Sequence, residues 1–160
     1  AYFEGNYVKA QKNAGTALKL TDSPIITAVS AVIAARSAHE LDDTKVRDQY
    51  IATALRKAPT EKSLSLMAKA DFLLSDGHHQ EALETLHSLY ANGGLQPSSA
   101  LQLELRAQQQ ANNWDAVLEL ANILAKRPST NQTLVKNLKH DAQLENIRRK
   151  GTDLHTLNHY

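Results

Sequence analysis

The chain contains no cysteine. Disulfides, thiolate metal sites and a nucleophilic thiol are therefore excluded, which fits a reducing compartment. Aromatic residues are scarce: two Phe, five Tyr and one Trp in 160 residues. A core must then rest on Ala and Leu, which points to close helix packing, and 42% hydrophobic residues suffice to build one. Charge of one sign is also missing. The formal net charge of +1 offers no field for nucleic acid or a membrane surface. The most apolar stretch, "PIITAVSAVIAA" from Pro24 to Ala35, is far short of the roughly 20 residues a membrane helix needs. The polar opening "AYFEGNYVKAQKN" is no signal peptide. Phosphate-cradling glycine loops, G-x-G-x-x-G and G-x-S-x-G are all absent. No catalytic residue, cofactor site or metal site is expected.

What is present is self-similarity. Gly5-Asn6-Tyr7, Asp42-Asp43-Thr44, Gly77-His78-His79 and Asn112-Asn113-Trp114 align, their first residues 37, 35 and 35 positions apart. Each opens with Gly, Asp or Asn, residues that tolerate the left-handed conformation ending a helix. Small or apolar residues follow at helical spacing: Ala10, Ala14, Ala17; Ile51, Ala54; Ala82, Leu86, Leu89; Val117, Ala121, Leu124. Pro24, Pro59, Pro97 and Pro128 fall near the junctions, with Ser23, Ser98-Ser99 and Ser129-Thr130 as nearby capping hydroxyls. Asn92-Gly93-Gly94 lengthens one junction and is expected to be the most flexible point in the chain. The β-branched set Ile25, Ile26, Thr27, Val29, Val32 and Ile33 favours strand locally, but no partner strand exists and the flanking period is helical. The pattern predicts an all-α chain with helices near 1–4, 6–20, 24–40, 44–57, 61–75, 79–91, 98–111, 114–126, 130–139 and 141–158.

This period and pairing resemble the tetratricopeptide repeat, two antiparallel helices of about 34 residues stacked into a right-handed superhelix. The resemblance implies one domain over 1–160, with units at 1–22 (partial), 23–59, 60–96 and 97–128 and C-terminal helices over 129–160. Small residues stand where helices would cross, at Ala17, Ala54, Ala70 and Ala82. Arg47 departs from the pattern, taking a place that usually holds a small residue. Ala35, Ala70 and Leu105 replace the typical glycine. The first unit lacks most of its first helix and the sequence lacks an initiator Met, so a longer parent protein is expected.

The histidines are weighed against this frame. His78 and His79 occupy the corner positions filled elsewhere by Asn6-Tyr7, Asp43-Thr44 and Asn113-Trp114. They are read as a corner, because a structural zinc site needs four convergent ligands. His155 and His159, one turn apart, lack the Glu of a zincin motif and are read as solvated. His39, His87 and His140 stand alone. Asp42-Asp43 reads as a cap, and Arg148-Arg149-Lys150 as a solvated helix end.

Several segments are similar, in order and spacing, to the HemY family of proteobacterial tetratricopeptide proteins of late haem biosynthesis. These are "LTDSP", "AARSAHELDDTKVRDQYIATALRKAP", "ALETLHSLY" and "NNWDAVLELANILAK". The similarity runs from Gly5 to about His155, and "RDQYIATALRKAP" and "NNWD" are its most specific pieces. It implies membrane anchoring through segments outside this sequence, a cytoplasmic repeat domain and a role in haem or porphyrin metabolism. A flavin-dependent protoporphyrinogen oxidase shares the family's name, but needs a dinucleotide-binding glycine motif absent here.

Two functions follow as expectations: a non-catalytic interaction scaffold for proteins such as haem-pathway enzymes, or a haem or porphyrin carrier with an axial His or Tyr. A tetratricopeptide adaptor unrelated to haem is a third. The resemblance implies that the first helix of each unit lines a concave groove. Arg36, Asp71 and Arg106 then share one helix position, 35 residues apart. Val32, His39, Met67, Leu74, Gln102 and Gln109 are their expected neighbours on that face. Trp114 is expected to be a ring packed between helices.

Overall fold

Asp42, Gly77 and Asn112 adopt positive φ of 59°, 81° and 56° in the computed structural model, which describes residues 2–90, 96–127 and 132–158. At each of these corners two backbone bonds close the preceding helix in the same way. Asp43 N–H donates to Ala38 O at 2.8 Å and Asp42 N–H to His39 O at 3.0 Å. His78 pairs with Leu73 and Gly77 with Leu74 at 2.8 and 3.1 Å, and Asn113 with Gln108 and Asn112 with Gln109 at 3.0 and 3.1 Å. This is the Schellman arrangement, in which one left-handed residue satisfies two carbonyls the helix would leave open. The next residue then starts a new helix. Asp43 Oδ1 accepts from Val46 N–H at 3.2 Å and Asn113 Oδ1 from Ala116 N–H at 3.5 Å, whereas His78 offers no side-chain cap. His78 and His79 form a corner.

Eight α-helices result among the described residues: α1 Tyr2–Leu20, α2 Pro24–Glu40, α3 Thr44–Lys57, α4 Lys62–Ser75, α5 His79–Leu89, α6 Ser98–Gln110, α7 Trp114–Ala125 and α8 Gln132–Asn158. A single 3-10 turn, Pro59–Glu61, lies between α3 and α4. The helices pack as sequential antiparallel pairs, and α2 also packs on α4, and α4 on α6. The β-branched stretch is helix α2, whose start is fixed by Pro24 in its first turn and by Ser23 Oγ accepting from Ile26 N–H.

The core is a chain of small clusters. Val32, Ala35, Ile51, Ala68 and Phe72 join α2, α3 and α4. Ala70, Leu74, Ala82, Leu86, Ala100 and Ala107 join α4, α5 and α6. Leu101, Leu105, Val117, Leu124, Val135 and Ala142 join α6, α7 and α8.

Three expectations are corrected. Gly5-Asn6-Tyr7 is no corner, because α1 runs through it from Tyr2 to Leu20. Helix initiation is costly and propagation is not, so a four-residue helix with nothing to pack on does not stand apart. The two expected C-terminal helices are one, Gln132–Asn158, since no Gly or Pro interrupts Lys139 to Asp141. The start of the first of them, at 130–131, lies outside the described residues. Ser98 and Ser99 are not caps either. Pro97 holds the N-cap position, and the two hydroxyls meet Arg127 and Met67 instead. Asn92-Gly93-Gly94 and Ser129-Thr130 lie outside the described residues.

Candidate interaction face

Residues at one helix position in successive hairpins are brought side by side by α2, α4 and α6. Arg36 Nη1 donates to Asp71 Oδ2 at 3.0 Å, and Arg106 Nη1 to Asp71 Oδ1 at 2.7 Å. One carboxylate therefore bridges two arginines from neighbouring helices. Burial pushes against its charge, but the bonds from Arg106 and Arg36 prevail and hold the Asp71 carboxyl below its ordinary range. Both guanidinium groups are exposed, so each pair contributes no more than about 1 kcal/mol. The ladder sets two arginines against one aspartate, with Glu40 lining the hollow beside Arg36 and Asp71.

The expected neighbours divide. Gln102 is exposed, and His39, Met67 and Gln109 are half-buried. Val32 and Leu74 are only 6% and 2% exposed. Both are core residues and present no surface, because each belongs to the apolar stripe that joins its helix to the next.

The apolar surface beside the ladder has another source. Helix α2 buries Ala28, Ala31, Ala34, Ala35 and Ala38 completely, while Ile25, Val29 and Ile33 are 60%, 41% and 46% exposed. Ile26 is exposed as well. Spaced by four, Ile25, Val29 and Ile33 form a stripe that leads along the helix to Arg36. The helix is largely inverted, with its alanines inward and, apart from the buried Val32, its large aliphatic side chains outward. The β-branched run in the sequence carried this signal. Only burial distinguishes such a face from an ordinary core stripe.

Beneath the ladder lies a polar hub around Arg47, the residue that departs from the repeat pattern. Its side chain is buried, yet every part of the guanidinium is engaged. Nε donates to Asp48 Oδ1 at 2.9 Å and Nη2 to Asp76 Oδ2 at 2.8 Å. Nη1 lies 2.9 Å from His39 Nδ1 and 3.4 Å from Asp76 Oδ1. Arginine can only donate, so His39 Nδ1 is the acceptor and the ring's proton sits on Nε2. The guanidinium carbon is 5.0 Å from the Phe72 ring centroid, and the His39 ring is 5.0 Å from the same centroid. Burial opposes Arg47's charge, but bonds to Asp76 and Asp48 raise its pKa. The Arg47 bond lowers that of Asp76.

Just past the end of α5, the Tyr90 hydroxyl is buried with no hydrogen-bond partner among the described residues. Burial and nearby Glu104 push its pKa up to about 12, against the opposing pull of Arg127. In the sequence Arg47 stood out only as a departure from the repeat, since its partners Asp76 and Phe72 come from the next hairpin. His87 faces Glu104 at 3.5 Å, and His140 is exposed. His159 and the His155 side chain lie outside the description. Among the described residues no cluster of three or more His, Asp or Glu could hold a metal ion, and no helix is long and apolar enough to cross a membrane.

No family model, curated protein or solved structure matches the chain.

Proposed function

We propose that the chain is a non-catalytic scaffold of tetratricopeptide-like hairpins, and that the face of α2, α4 and α6 receives a partner protein segment. The observation that carries this reading is the inverted helix α2. Exposing Ile25, Val29 and Ile33 while burying alanines forgoes the ordinary gain of burial, about 1.5–3 kcal/mol per large aliphatic side chain. A partner that covers the stripe recovers part of it. The adjoining ladder, with two arginines to one aspartate, favours an acidic group next to apolar residues in that segment. Charge there supplies orientation and on-rate more than affinity.

The link to haem or porphyrin metabolism and the membrane anchoring of a longer protein are part of the same proposal. They rest only on the resemblance of the segments quoted above to the HemY family, as read from the sequence. The decisive experiment pairs two variants in the full-length protein, Arg36→Glu with Arg106→Glu, and Val29→Asp with Ile33→Asp. Helicity should be retained by circular dichroism, while co-capture of haem-pathway enzymes from membranes falls at least tenfold. Undiminished capture by both variants would remove this face from consideration. Titration of haem and protoporphyrin, followed by absorbance, tests the carrier reading. A stoichiometric spectral shift would replace the scaffold by a carrier.

A further inference from the structure

On another side of the molecule, α1 and α3 flank α2 and share with it a small cluster, Leu18, Ala31 and Ala54, against which Tyr50 packs. Between α1 and α3 runs an open trough of about 710 Å³. Its apolar surface comes from the exposed Val8 and the half-buried Tyr50, with Leu18 only 9% exposed beneath them, and Gly15 faces Tyr50 Oη. Its charged groups are all cations: Lys12, Lys19, Arg56 and Lys57. None of the four is ion-paired among the described residues, and no carboxylate lines the trough. The hydroxyls of Thr16 and Thr53 already donate to carbonyls of their own helices. The next trough along, beside α3 and α5, sets Asp48, Asp76 and Glu81 against Arg47 and Lys69.

Helix ends explain part of this charge. Lys19 is in the last turn of α1, and Arg56 and Lys57 are in the last turn of α3. The two helices are parallel, each being antiparallel to α2, so these three cations gather at one end. Each helix terminus carries about half a negative charge. Two termini therefore offset about one of the four cations, and the trough stays strongly positive.

We infer that this trough docks an acidic, amphipathic segment of a partner protein. Lys12 and Lys19 are seven residues apart, about 10 Å along the helix, and the remaining cations stand on the opposite wall. A single phosphate cannot span that spread. A flat anionic bilayer reaches the rims but not the half-buried Tyr50 between them. A short helix with apolar residues along one side and carboxylates at its flanks meets both.

The test uses a fluorescein-labelled, 14-residue Glu/Leu amphipathic helix, read by anisotropy against the whole chain. Lys19→Glu with Lys57→Glu should weaken binding at least tenfold and flatten its salt dependence. Thr53→Trp, which fills the trough without changing charge, should weaken it comparably. Lys126→Glu with Lys139→Glu carries the same charge change elsewhere and should bind as the parent does. Arg36→Glu with Arg106→Glu should also bind normally, which separates this trough from the face proposed above. Circular dichroism checks that each variant is folded. The inference is overturned if the distant lysine pair or the Arg36/Arg106 pair matters as much as the trough pair, or if Thr53→Trp has no effect. It is also overturned if phosphatidylserine vesicles, or inorganic phosphate at millimolar concentration, displace the peptide from the parent but not from the trough variants.

Discussion

Ser65 is fully buried, and its hydroxyl has no hydrogen-bond partner among the described residues. Leaving a buried hydroxyl unsatisfied costs about 1–3 kcal/mol, so Ser65→Ala should raise stability by about 1 kcal/mol, read as a higher melting temperature. Asp76 is the opposite case, because its partner is the buried Arg47. Its carboxyl is held below the ordinary value of 3.8 by that bond. A depressed carboxyl contributes stability that is complete above its unfolded-state value and is lost as pH falls through the lowered one. Asp76→Asn should therefore be less stable than the parent near neutral pH, with the difference shrinking as the parent is acidified below 3.8. Denaturant melts across that range check the sign. A deficit that is constant with pH would mean the charge plays no part. Trp114 is half-buried against the α6–α8 cluster rather than enclosed. Its replacement by Ala should cost roughly 2 kcal/mol, less than the ~3–5 kcal/mol of a fully buried ring.

At the scale of elements, three corners share one geometry but not one residue type. The left-handed position suits Gly, is tolerated by Asn and Asp, and costs other residues about 1–2 kcal/mol. Gly77→Ala should destabilise by about 1 kcal/mol, while Asn112→Gly should be neutral or gain up to about 1 kcal/mol. Urea titrations with an unchanged slope would show that both effects are local. The corners were legible because left-handed residues are few and recur at a fixed period. The failed fourth, at Gly5, shows what that pattern omits: a corner also needs a packed helix on each side. The site was less legible. Aligning the corners placed Arg36, Asp71 and Arg106 together, since that follows from the period alone. Sequence did not separate the buried Val32 and Leu74 from the exposed Val29 and Ile33. All four are apolar residues on helices, and which side meets a neighbour depends on how the helices are rotated.

Across the whole molecule, order should follow packing rather than secondary structure. Helix α8 buries Val135 and Ala142 against α7, whereas Leu144 and Ile147 are exposed farther along. Local opening is governed by such buried contacts. Amide exchange should therefore be fast over 146–150 and slow over 101–105 and 117–124, although all three stretches are helical. Equal protection would show that something covers the end of α8. Charge, too, is distributed by region. A nearly neutral chain carries a strongly cationic trough at one place and a partly compensated ladder at another, which net charge conceals.

Among the described residues every packed pair of helices is either consecutive or one helix apart, and this bears on how the chain acquires its structure. Loop closure costs little when partners are near in sequence, and helical chains with such local contacts fold in roughly microseconds to milliseconds. Each hairpin can be completed as soon as the next helix has been synthesised, with no strand or segment awaited from the far end. The chain can assemble vectorially, from its first corner to its last.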